Sequence, residues 1–190
     1  MSRTVVIGLF ILSVSVLASC NAQNNQRCKN LNKQGIDSMM AHGSRPQNRT
    51  SSLEAALRLF EAAIRCDSSL KTPRVNRIAV LSELGEYQRA IDAIDELVKR
   101  VPDSSTLILK PPLFERLNMY DSARNLYKSL SLYFVKLRNN DPENVDLIYW
   151  CVFTKFKVSG WESVRADIDY YIKKYPNNTH LITILQTMNP

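Results

Sequence analysis

The sequence predicts an all-α fold, a stack of about four helical hairpins (an α-solenoid) closed by a capping helix at the C-terminus. Three observations predict it. Apolar residues recur at helical spacing from Cys28 onward, as at Leu53, Ala56, Leu57, Phe60, Ala63 and Ile64. No segment alternates apolar and polar residues as a half-buried strand does, so no sheet is expected. The pattern also returns at a nearly constant interval, as the positions of Ala56, Ala90 and Ala123 show. A period of that kind marks stacked repeats, in which each hairpin is apolar on two sides and buries both only against its neighbours.

The N-terminal segment reads differently. Arg3 is followed by an uncharged run from Val5 to Leu17, too short for a membrane-spanning helix and of the length of a signal-peptide core. It ends in Leu17-Ala18-Ser19-Cys20, which resembles the lipobox of bacterial lipoproteins. The resemblance implies a diacylglyceryl group on the Cys20 sulfur, cleavage before Cys20 and acylation of the new amine. Residues 1–19 are then a signal peptide and 20–26 a lipidated cysteine with a short polar tether. Residues 27–190 form the helical repeat domain. Two or more acyl chains give stable anchoring where one does not. Cleavage removes Arg3 from the 25 basic side chains, leaving 24 against 18 acidic ones, a net charge of +6. Six extended tether residues reach roughly 20 Å, so the first helix is expected near the headgroups. Asn21 is not the Asp that holds enterobacterial lipoproteins in the inner membrane, and no acidic cluster follows Cys20. The expected location is therefore the bacterial envelope, at the outer membrane facing the periplasm.

Helices are expected over 27–42, 51–66, 73–84, 87–100, 104–117, 121–139, 144–158, 161–174 and 178–188. Leu84-Gly85-Glu86-Tyr87-Gln88-Arg89-Ala90-Ile91, with Ile94, Leu97 and Pro102, resembles the second half of a tetratricopeptide repeat. That family has Gly-x-Tyr at the bend, a small residue where the helices touch, and a closing proline. Asn118-Met119-Tyr120-Asp121-Ser122-Ala123 with Tyr127 is a further copy, and Gly160-Trp161 with Val164, Ile168 and Pro176 a weaker one. The chain departs from the family in an inserted turn at 42–52, in Pro111-Pro112 within the helix expected over 104–117, and in a long sixth helix. Proline there removes backbone donors, so that helix is expected to be broken or to start near Pro111. The last helix is expected to cap the final repeat.

Three cysteines remain beside Cys20. Cys28 lies fifteen residues before the turn at 43–50 and Cys66 sixteen after it, so an antiparallel hairpin sets them level. A Cys28–Cys66 disulfide is expected in an exported protein, the alternative being two unpaired thiols. Closing the loop between positions 28 and 66 corresponds to roughly 4 kcal/mol in the chain-entropy description. Cys151 reads as a small core residue.

Catalytic material is scarce. His42 and His180 have no ligand-spaced partner, and HExxH, CxxC, GxSxG, P-loop and GxGxxG patterns are all missing. No catalytic residue, metal site or cofactor is expected. Asp92, Asp95 and Glu96 read as a solvated face. Lys99-Arg100, Lys155 with Lys157, and Lys173-Lys174 read as scattered basic surface, without the aromatic interleaving of a nucleic-acid site. In the tetratricopeptide family the first helix of each repeat lines a groove. In the fourth repeat it presents Asp146, Tyr149, Phe153, Phe156 and Lys157. These suit a protein segment, or in the alternative a glycan, as partner. Against this, Leu147, Ile148, Trp150, Cys151 and Val152 make the helix apolar nearly all round, which also fits plain burial. The expected function is a non-catalytic, membrane-anchored, protein-binding scaffold, with a glycan-binding accessory lipoprotein as the alternative.

Overall fold

The structure, a computed structural model, describes residues 25–41, 48–100 and 104–188. Expectations for the signal segment, Cys20, and the tether up to Asn24 lie outside the described residues. Among the described residues every regular element is helical. The chain divides into two compact units between Lys99 and Arg100.

The N-terminal unit holds α1 (25–40), α2 (Arg49–Cys66), α3 (Lys71–Glu83) and α4 (Tyr87–Arg100). Its core takes Leu53, Ala56, Phe60 and Ala63 from α2, Ile78, Val80 and Leu81 from α3, and Ala90, Ile91, Ile94 and Leu97 from α4. Gly35 lets α1 cross the Phe60 ring, because a Cβ there would stand 2.5 Å from Cε1 of that ring. Cys28 and Cys66 lie at disulfide distance, their Cα atoms 5.5 Å apart, which joins the start of α1 to the end of α2. Asp67 ends α2 with an Asx turn, its carboxylate accepting from the Ser69 N–H at 2.8 Å. Helix α3 begins at Lys71, two residues earlier than the sequence pattern places it. The pattern puts Pro73 at the first helical position, but the first four N–H groups of a helix have no internal acceptor, so proline fits the third position as well.

Arg74 on α3 is 3% exposed. A buried cation is tolerable when it is paired. Here Arg74 donates to the Ser68 carbonyl at 2.9 Å and to the Glu96 carboxylate on α4 at 2.6 Å. Arg77 donates to the other oxygen of Glu96 at 2.8 Å. The two guanidinium groups hold the Glu96 carboxyl below its ordinary range, Arg77 most strongly.

The α3–α4 bend is built on Gly85, with φ +77°. The Glu86 N–H donates to the Leu81 carbonyl at 2.9 Å and the Gly85 N–H to Ser82 at 3.1 Å, the paired closure of a Schellman motif. The same pair recurs one repeat further on, at Asn118. Met119 donates to Phe114 at 2.8 Å and Asn118 to Glu115 at 3.1 Å, with Asn118 at φ +58°. Asparagine is the residue after glycine that best tolerates this left-handed conformation. Five residues past each bend, Ala90 and Ala123 are both buried.

The C-terminal unit holds a 3₁₀ helix (Ser104–Leu109), α5 (Lys110–Arg116), α6 (Tyr120–Asn140), α7 (Val145–Ser159), a short 3₁₀ turn (Trp161–Ser163), α8 (Arg165–Lys174) and α9 (Thr179–Gln186). Two elements are each split: the segment over 104–117, where a break or a start near Pro111 is expected, and the segment over 161–174, expected as one helix. The segment expected over 104–117 is 3₁₀ until Pro111 and Pro112 open α5 in its first turn. The segment expected over 161–174 changes from 3₁₀ to α at the buried Val164. Helix α6 has 21 residues against 14 in α4, about two extra turns. This stretches the interval: Val164 and Ile168 follow Ala123 and Tyr127 at a wider spacing than Ala123 follows Ala90, and all of them are buried. Gly160 makes the next bend, at φ +79° and ψ 179°, a conformation open only to glycine. Helix α9, capped by the Asn178 side chain accepting from Leu181 N–H at 2.9 Å, lays Leu181 and Leu185 on the core.

Candidate functional site

Helix α7 is the middle of the C-terminal unit, and two clusters meet on it. On one side Ile148 and Val152 join Val164, Ile168, Leu181, Leu185 and Met188. On the other Cys151 joins Ile108, Ala123, Tyr127, Leu130 and Phe134. This explains why α7 is apolar nearly all round, and burial pushes the Cys151 thiol up, away from nucleophile character. The Thr154 hydroxyl inside α7 donates to the Trp150 carbonyl at 2.7 Å.

Of the residues expected at the site, Tyr149, Phe153 and Phe156 are partly buried and pack on the cluster of Ile148, Val152, Ile168 and Leu181, and Phe153 packs on the other cluster as well. Tyr149 and Phe153 stand 5.7 Å apart with ring planes 31° apart, and Trp150 lies 4.7 Å from Tyr149 at 57°. Phe153 is edge-on to Tyr127 of α6 at 6.0 Å, and Trp150 stacks on Phe134 at 5.8 Å. Asp146 stands exposed in the first turn of α7 and has no ion-pair partner among the described residues. There it favours the helix dipole.

Lys157 is paired. Its Nζ lies 2.9 Å from the Glu115 carboxylate of α5 and 5.5 Å from the centre of the Tyr127 ring. Glu115, Tyr127 and Trp150 therefore belong to the site although the sequence pattern does not place them there. The signal that could have found Glu115 is the repeat interval itself, since it stands about one repeat before Lys157. Tyr127 is 1% exposed and its hydroxyl has no hydrogen-bond partner among the described residues. Burial, then the Glu115 charge, then Tyr149 push its phenol well above the usual tyrosine range. Burial also raises Tyr149. Both phenols therefore stay neutral near pH 7.

The acidic cluster on α4 is not a free carboxylate face. Glu96 is held by Arg74 and Arg77, and Asp92 accepts from the Gln88 side chain at 3.0 Å. Among the described residues no group of three or more His, Cys, Asp or Glu is placed to hold a metal ion, and no helix is long and apolar enough to cross a membrane. No family model, no curated protein and no solved structure matches the chain.

Proposed function

We propose that the chain is a non-catalytic scaffold, anchored through acyl groups on Cys20 at the bacterial outer membrane, whose tetratricopeptide-like hairpins hold a protein partner in the periplasm. The observation that supports it best is the recurrence of one bend. Gly85 and Asn118 close their helices with the same hydrogen-bond pair, and each is followed by a buried alanine five residues on. In such a repeat the first helix of each pair faces the partner, which directs attention to Tyr149, Phe153 and the Lys157–Glu115 pair. A protein segment suits this edge better than a glycan. Tilted, half-buried rings offer edges and hydrogen-bond donors, whereas a sugar ring calls for an open flat face.

The test is a photo-crosslinking amino acid placed at Tyr149 in living cells, with Glu54 on α2 as an exposed comparison. The proposal expects one discrete protein adduct from position 149 that Lys157→Glu removes. Adducts identical at both positions, or a glycan adduct alone, would overturn it.

A further inference from the structure

The longest helix of the C-terminal unit carries an outward face that the partner site does not use. Ala123, Tyr127, Leu130 and Phe134 of α6 are buried on one side. At about 3.6 residues per turn the opposite side is led by Lys128, Leu132 and Lys136, at i, i+4 and i+8 in one line. Leu132 is 76% exposed, and Val135 beside it 37%. Arg124 extends the line by one more turn, one of its nitrogens donating to the Val158 carbonyl at 3.3 Å. Lys128 and Lys136 have no ion-pair partner among the described residues, whereas Lys155, Lys157 and Lys174 of the same unit are paired with Asp167, Glu115 and Glu143. The acid on this face is Asp121, in the first turn, where it faces the positive end of the helix.

From this arrangement we infer that the outer ridge of α6 rests on anionic phospholipid headgroups. A lone exposed leucine between two unneutralised lysines matches a layer of negative charge over an apolar interior. The leucine reaches the headgroup–acyl boundary while the lysines stay at phosphate level, their stems lying along it. Each lysine near such a surface contributes about fivefold to partitioning, and salt weakens the effect. A second copy of the chain suits the ridge poorly, because it would set lysine against lysine. An acidic protein matches the charges but also needs a pocket for Leu132. The inference uses folded residues alone and does not depend on the Cys20 anchor. An anchored chain would gain a fixed orientation from it.

The experiment places a photo-crosslinking residue at Leu132 of the full chain in vesicles of phosphatidylglycerol or of phosphatidylcholine, with Glu54 as the comparison position. The expected result is a phospholipid adduct at position 132 that is at least about tenfold stronger with phosphatidylglycerol. It falls to the phosphatidylcholine level in Lys128→Glu/Lys136→Glu and in high salt. Equal adducts in both lipids, adducts that survive the double charge reversal, or crosslinking to a second copy or to an acidic protein instead of lipid would each overturn the inference. The intact mass of the same samples reads Cys20 acylation separately. A chain without acyl groups that still labels phosphatidylglycerol keeps the ridge and loses the anchor, and an acylated chain without lipid adducts does the reverse.

Discussion

The two units solve the same packing problem with different chemistry. The N-terminal unit ties its helices with polar and covalent links: the Cys28–Cys66 pair, Asn76 donating to Asn32 at 3.0 Å, and two arginines on Glu96. The C-terminal unit has no such staple among its described residues and keeps its one described cysteine buried. Its helices are joined by ion pairs such as Lys157–Glu115 and, beyond these, by rings, with Phe134, Trp150, Tyr149, Phe153 and Tyr127 in one contiguous series. Polar links demand particular partners and tolerate little change. Ring contacts bury apolar area, and under the proposed function the partly buried rings of α7 are what a partner would hold.

The sharpest break in this contrast comes from Phe134→Ala. It removes the ring that stacks on Trp150 and is expected to cost about 3–5 kcal/mol, seen as a lower unfolding midpoint and faster hydrogen exchange across residues 104–188. An unchanged midpoint would mean that the ring series does not hold the unit together. In the other unit, Cys28→Ser with Cys66→Ser is expected to cost up to roughly 4 kcal/mol, from the loop it reopens. Residues 25–99 should then exchange first.

A smaller effect follows from Glu96. Its folded-state pKa lies below the unfolded value, so its contribution is present above the ordinary carboxylate range and disappears as pH falls through the depressed value. Glu96→Gln is expected to cost about 1 kcal/mol after solvent screening of the half-exposed carboxylate, and to flatten the acid limb of the stability profile. Retention of the full acid limb in the variant would assign it elsewhere.

The smallest effect compares the two bends. Nothing lies within 4 Å of a Cβ built on Gly85, so Gly85→Ala meets only the left-handed backbone, at about 1 kcal/mol. Gly85→Asn should cost less, since Asn118 already occupies the matching bend at φ +58°. Equal costs for Ala and Asn in thermal unfolding would show that the two bends are not equivalent.

Much of the fold is legible in the sequence because helices announce themselves by spacing and bends by residues that accept positive φ. Gly85 and Gly160 lie between helices, and Cys28 and Cys66 lie level across their hairpin. Legibility fails where the deciding partner lies far along the chain. Nothing local marks Arg74 as buried, because its carboxylate arrives from α4. Gly35 looks like a weak point in a helix until the Phe60 ring stands against it. For the candidate site, the aromatic spacing on α7 is visible, whereas Glu115 and Tyr127 become relevant only when α5 and α6 pack beside it. The 3₁₀ stretch before Pro111 escapes the pattern because its apolar spacing fits either helix type.

The central claim is an exported chain held by lipid at Cys20 and stapled between Cys28 and Cys66. The intact mass of the protein extracted from membranes, before and after reduction, tests both parts at once. The account predicts a chain beginning at Cys20 that carries acyl groups and gains two hydrogens on reduction. A chain without acyl groups, or one with free thiols at both Cys28 and Cys66, would contradict it.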